Sequence, residues 1–204
     1  MGGCLLFLLI TGLFAPFMFF LIFFNIATLS LTKLGLTPYG AVLLFTSILI
    51  GSIINIPVSR QRFYLEEPTP FRYPFLYYRP PRVREQVIAV NVGGAVIPTL
   101  FSLYLLFNKA PLLPAVTATI IVALVCKRMA RLVPGVGIKI PAFLPPVLAA
   151  LLALILAGSN AAPVAFISGA LGTLIGADLL NLNRMNELGA QVLSIGGAGV
   201  FDGI

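Results

Sequence analysis

There is no histidine in these 204 residues. That excludes histidine general bases, Ser-His and Cys-His nucleophile pairs, histidine-ligated haem and most zinc sites. Cysteine is nearly as scarce: Cys4 and Cys126 lie far apart in apolar sequence and suit neither a paired metal site nor a disulfide framework. No cofactor is expected. Acid is scarce too. Six acidic residues stand against 13 basic ones, and only Asp178 and Asp202 are aspartates. Charged residues make up 9% of the chain, against about 25% in soluble domains. A chain this poor in charge cannot cover a soluble surface, so the lipid bilayer is its expected main solvent and a cell membrane its expected location.

The positive balance does not point to nucleic acid. The basic residues cluster in two loops between apolar runs, as topology determinants do near anionic lipid, and no nucleic-acid-binding module is present. The first run lacks a positive start and is too long for a cleaved signal peptide, so it is read as a retained span. Seven runs are read as membrane helices: Leu5–Leu31, Tyr39–Val58, Val87–Phe107, Leu112–Cys126, Phe143–Ala157, Ala162–Leu182 and Leu188–Ile204. The fold class is an all-α polytopic transmembrane bundle in one domain over residues 1–204. The fourth and fifth spans are short for a crossing, and short spans interrupted by Pro or Gly point to sites in transporters. The seventh is still apolar at Ile204 and is expected to be incomplete or broken.

Residues 59–86 form the one long polar segment. Six arginines, several tyrosines and phenylalanines and five prolines read as an interfacial lid, with a partner-docking loop as the alternative. By successive loop the positive charges run one, six, one, four, zero, one. This alternation puts the N-terminus, the 59–86 loop and the Lys127 loop in the cytoplasm, and Lys109 on the other side.

Asp178 and Asp202 both lie in apolar, glycine-rich sequence. An ionisable group in hydrocarbon costs roughly 2.5–3.5 kcal/mol on insertion scales and marks a functional site by default. Gly172 and Gly176 form a Gly-xxx-Gly pair that admits a neighbouring helix. At 100° per residue Asp178 points away from that seam unless the helix loosens after Gly176. Gly196, Gly197 and Gly199 together disfavour helix by about 3 kcal/mol, so an unwound segment is expected before Asp202. Val92-Gly93-Gly94-Ala95 echoes Ile195-Gly196-Gly197-Ala198 and suggests two smooth backbones that approach closely. Asn91, Gly176 and Gly199 are the candidate binding positions beside the two aspartates. With regular helices on either side of the short 183–187 connection, Asp178 and Asp202 would sit about 9 Å out of step.

Two resemblances follow from these residues. One aspartate on an inbound span six and one on an outbound span seven resembles the presenilin and signal-peptide-peptidase type of intramembrane aspartyl protease. There, however, the second aspartate directly follows Gly-x-Gly; here two residues separate Gly197-Ala198-Gly199 from Asp202, and the Tyr-Asp and Pro-Ala-Leu signatures are absent. Asn91-Val92-Gly93-Gly94 with Pro98, Gly172 to Leu179, and Gly196 to Gly203 together resemble an uncharacterised prokaryotic family, domain of unknown function 1614. That resemblance implies a multi-pass membrane protein of archaea or bacteria with no assigned activity.

Three functions remain open. Two aspartates close together in low dielectric share a proton and activate water, which would make a diaspartyl intramembrane hydrolase acting on a peptide. The same aspartates could be the titrating groups of a proton- or cation-coupled carrier, with Asn91 as a neutral partner. Or they hold helices together in a non-catalytic subunit with a membrane-protein partner.

Overall fold

The computed structural model describes residues 2–65, 82–133, 137–182 and 192–197. The chain divides into two compact units, Met1–Ser47 and Ile48–Ile204.

The first unit holds helix α1, Gly2–Thr32, with Pro16 inside it. Its polar side chains turn back on their own helix. Asn25 Nδ2 donates to the Leu21 carbonyl (2.8 Å), Thr28 Oγ1 to that of Phe24 (2.9 Å) and Ser30 Oγ to that of Ile26 (2.7 Å). A helix in lipid must satisfy its polar groups internally, and these do. Thr37 starts helix α2, Pro38–Gly51, by accepting the Gly40 N–H at 3.1 Å, with proline at the first helical position. Within the unit the rings of Phe24 and Phe45 meet edge to face, their centroids 5.2 Å apart.

The second unit is built on four helices: α3 (Ile97–Asn108), α4 (Leu112–Met129), α5 (Leu144–Ala157) and α6 (Ala161–Thr173). Helix α6 packs on all three of the others. The 3-10 turn Gly158–Asn160, with Gly158 at φ +53°, folds α6 back along α5. A Cβ on Gly169 would accordingly sit 3.5 Å from that of Ala149, the two residues lying equally far from the turn. Small residues let the backbones close up. A Cβ on Gly172 would come within 2.7 Å of the Val122 side chain, and one on Gly176 would strike the Ala123 carbonyl of α4. The expected Gly-xxx-Gly seam is therefore the α4–α6 contact. Gly172→Leu should lower thermal stability in detergent by about 1–3 kcal/mol through overpacking, clearly more than Leu171→Ala does. Equal, small shifts for the two variants would mean that this seam does not hold the helices.

Short turns after α3 and α5, and a hairpin after α4, make α3–α6 alternate in direction. The start of α3, the end of α4, the start of α5 and the end of α6 therefore share one end of the bundle, where the strands gather. Strand β1 (Asn55–Leu65) pairs antiparallel with β2 (Arg82–Asn91), which runs straight on towards α3. The register shifts between Pro57 and Ser59, where proline has no N–H to offer a ladder. On its far edge β2 pairs in parallel with a late strand, Val192–Ile195. Strands Arg131–Val133 (β3) and Gly137–Lys139 (β4) form a second hairpin joining α4 to α5, which makes the late strand β5.

The expectation of seven membrane-crossing helices is not supported. Among the described residues three helical stretches are long and apolar enough to cross: Phe14–Thr32, Leu112–Met129 and Leu144–Leu182. The last of these is the folded α5–α6 pair. Pro38–Gly51 and Val92–Asn108 are shorter apolar helices. Membrane association stands, with a small sheet added to a mostly helical chain. Span two ends at Gly51, and its last residues are strand. The proposed third span opens as strand as far as Asn91, because a strand exposed on neither face reads as one apolar run, like a helix start. Of the proposed seventh, residues 192–195 are strand too. The 59–86 loop is strand over its described ends; its middle, 66–81, lies outside the described residues.

Candidate functional site

Asn91 stands where β2 becomes helix, and its side chain ties three elements together. It caps a π turn, Val92–Val96, by accepting the Gly94 N–H on Oδ1 at 2.7 Å. Its Nδ2 donates to the Ser52 carbonyl at the end of α2 (2.7 Å) and to Asn55 Oδ1 on β1 (3.0 Å). Asn55 and Asn91 are also register partners in the sheet. Asn55 Oδ1 accepts a second bond from Ser194 Oγ on β5 at 2.5 Å. Only 3% of Asn91 is exposed, so its own amide is largely shielded from water.

Asp178 approaches the same place from α6. Residues Leu174–Asp178 form a second π turn, loosening the helix just where a regular one would aim the carboxylate elsewhere. Asn181 Nδ2 holds this turn by donating to the Gly176 and Ala177 carbonyls, each at 3.0 Å. The Asp178 Oδ2 accepts the Gly196 N–H at 2.7 Å. Gly196 has φ +73°, a left-handed conformation that side-chain-bearing residues rarely adopt. It lies flat against Gly94: a Cβ on Gly94 would strike the Gly196 carbonyl, and one on Gly196 would lie 2.7 Å from the Gly94 carbonyl carbon. The two echoed glycine segments thus meet, as their smooth backbones suggest.

A cleft of about 610 Å³ opens over this junction. Ser52, Asn55, Asn91, Gly93, Gly94 and Gly196 line it, with Ile48 and Ile53. Its polar wall is neutral, made of amides, a hydroxyl and main chain. Asp178 stands one hydrogen bond behind that wall.

Of the candidate residues, Asn91 and Asp178 come together through Gly94 and Gly196. Gly176 does not join them; it is buried against α4. Asp202 and Gly199, and with them the distance between the two carboxylates, lie outside the described residues. Sequence reasoning missed Ser52, Asn55 and Ser194. Their one signal was position, each a polar residue at the margin of an apolar run.

No curated protein and no solved structure matches the chain. Nothing in these comparisons supports the likeness to intramembrane aspartyl proteases. The family model described as Protein of unknown function (DUF1614) matches residues 49–204, which include every residue of the site except Ile48, and the chain belongs to that family.

Proposed function

We propose that the chain is a multi-pass carrier that binds a small polar solute in the Asn55–Asn91 cleft, with Asp178 coupling binding to movement. One observation supports this most: three helices lose regular geometry around the same cleft. Helix α2 stops at Gly51 and gives way to β1, Val92–Val96 is a π turn, and Leu174–Asp178 is another. Interrupted helices are how many carriers build solute sites, because the freed main chain can face a polar cavity. The neutral wall suits an uncharged polar solute or a cation held by carbonyls. A protonated carboxyl is a weaker acceptor than a carboxylate. Proton uptake at Asp178 would therefore loosen its hold on Gly196, a residue of the cleft wall.

Proteoliposomes holding a trapped pH dye test this reading. At least one member of a panel of amino acids, sugars, Na⁺ and K⁺ should shift internal pH with the wild type and not with Asp178→Asn. A silent panel with folded protein would sink it. The strand end of the bundle is placed in the cytoplasm with the same proposal, on the loop charges. Single cysteines at 109 and 131 should then label from opposite sides; labelling from one side refutes that arrangement.

The diaspartyl hydrolase is the second reading, favoured by one contact. Gly196, held by Asp178, lies six residues before Asp202, within about 20 Å of chain at full extension. In a variant without Cys4 and Cys126, Asp178→Cys with Asp202→Cys should be joined by a cross-linker of about 8 Å, a generous limit for groups bridged by water. Failure to cross-link removes the hydrolase. Silence in both assays leaves the non-catalytic subunit.

A further inference from the structure

Between Glu85 and Asp178 the sequence holds no acidic residue, yet four cations fall between Lys127 and Lys139. All four are exposed. Lys127 and Arg128 occupy the last turn of α4, where the negative end of the helix dipole answers them. Among the described residues, Arg131 and Lys139 have no such answer. They are register partners across the β3–β4 hairpin. Directly opposed residues of an antiparallel pair share one face with Cβ atoms about 4.5–5.5 Å apart, and like charges there are destabilising. A hairpin three residues long per strand keeps this pair at its open end, where the chain leaves α4 and enters α5.

What lies beyond the pair is apolar and uncovered. Phe143 is 82% exposed, and Val147 and Leu151 follow it at 55% and 53%. Spaced four apart, they form one stripe running down α5 from the foot of the hairpin. On α4, which packs beside α5, Leu124 is exposed as well. A cation pair standing above an apolar stripe matches a molecule with an anionic head and hydrocarbon tails. Free phosphate would need only the cations.

We propose that the hairpin and α5 form a binding site for an anionic phospholipid, its phosphate between Arg131 and Lys139 and an acyl chain along Phe143, Val147 and Leu151. The bound anion relieves the repulsion built into the hairpin. The site rests on α4 and α5 lying in the bilayer and is independent of the carrier reading.

Thermal unfolding of the full chain in nonionic detergent, titrated with phosphatidylglycerol or phosphatidylcholine, tests it. Phosphatidylglycerol should stabilise the wild type more than phosphatidylcholine does. Arg131→Gln with Lys139→Gln should weaken the apparent affinity for phosphatidylglycerol about thirtyfold and leave the phosphatidylcholine response alone. Arg131→Glu, which sets an ion pair across the strands, keeps the hairpin closed if the double variant loosens it, and must lose the same response. Either folded variant answering phosphatidylglycerol like the wild type overturns the site. So does equal stabilisation of the wild type by phosphatidylcholine, or by millimolar inorganic phosphate without lipid.

Discussion

Asn91→Leu is expected to cost about 4 kcal/mol of stability while keeping the number and branching of the side-chain heavy atoms. The substitution strands the Ser52 carbonyl and the Gly94 N–H, both facing a residue only 3% exposed. A buried polar group left without its partner costs about 1–3 kcal/mol, and two are left here. Asn55 suffers less, because Ser194 Oγ still donates to its Oδ1. Asn91→Asp is no rescue: it keeps an acceptor for Gly94 but turns an oxygen towards the Ser52 carbonyl and Asn55 Oδ1. Thermal or denaturant unfolding in detergent measures the loss. A penalty under about 1 kcal/mol would mean that water reaches the junction and replaces the amide.

Gly94→Val should cost about 3 kcal/mol or more, since overpacking that no flexible side chain can absorb lies at the upper end of its range. The added Cβ runs into the Gly196 main chain, so relief requires β5 to move off β2 or Gly196 to leave its Asp178 contact. Gly12→Ala in α1 is the matched control. Nothing lies within 4 Å of a Cβ there, and alanine in a helix interior is favoured over glycine by roughly 0.5–1 kcal/mol. Comparable melting temperatures for the two variants would contradict the Gly94–Gly196 contact.

The chemistry of these residues was easier to read than their geometry. An aspartate in apolar sequence is costly wherever it sits, so Asp178 stood out without any model of the fold. The paired glycine segments were legible because close backbone approach has few other solutions. Strand β2 was not. Val87 to Asn91 run unbroken into an apolar helix, and nothing local separates a strand exposed on neither face from a helical start. Its partner β5 lies beyond four helices in sequence, where no short-range pattern can point to it. The π turn at Leu174–Asp178 likewise has no residue signature of its own, yet it decides where Asp178 points. Asn55 fell inside the span read as Tyr39–Val58, so nothing marked it as a sheet residue. The span was carried on to Val58, whereas the helix already ends at Gly51 and strand follows.

The parallel pairing of β2 with β5 also sets an order of events during synthesis. Val87 leaves the ribosome before any of α3–α6 exists, and Val192 only after all four. Closing so long a loop is entropically unfavourable until the intervening helices have packed and drawn its ends together. Strand β2 therefore waits with one edge unpaired while the bundle assembles, exposed to mispairing with other chains. The last step supplies both Ser194 to Asn55 and Gly196 to Asp178, so a nascent chain halted before Val192 would carry the packed helices but a cleft without its Gly196 wall and its link to Asp178.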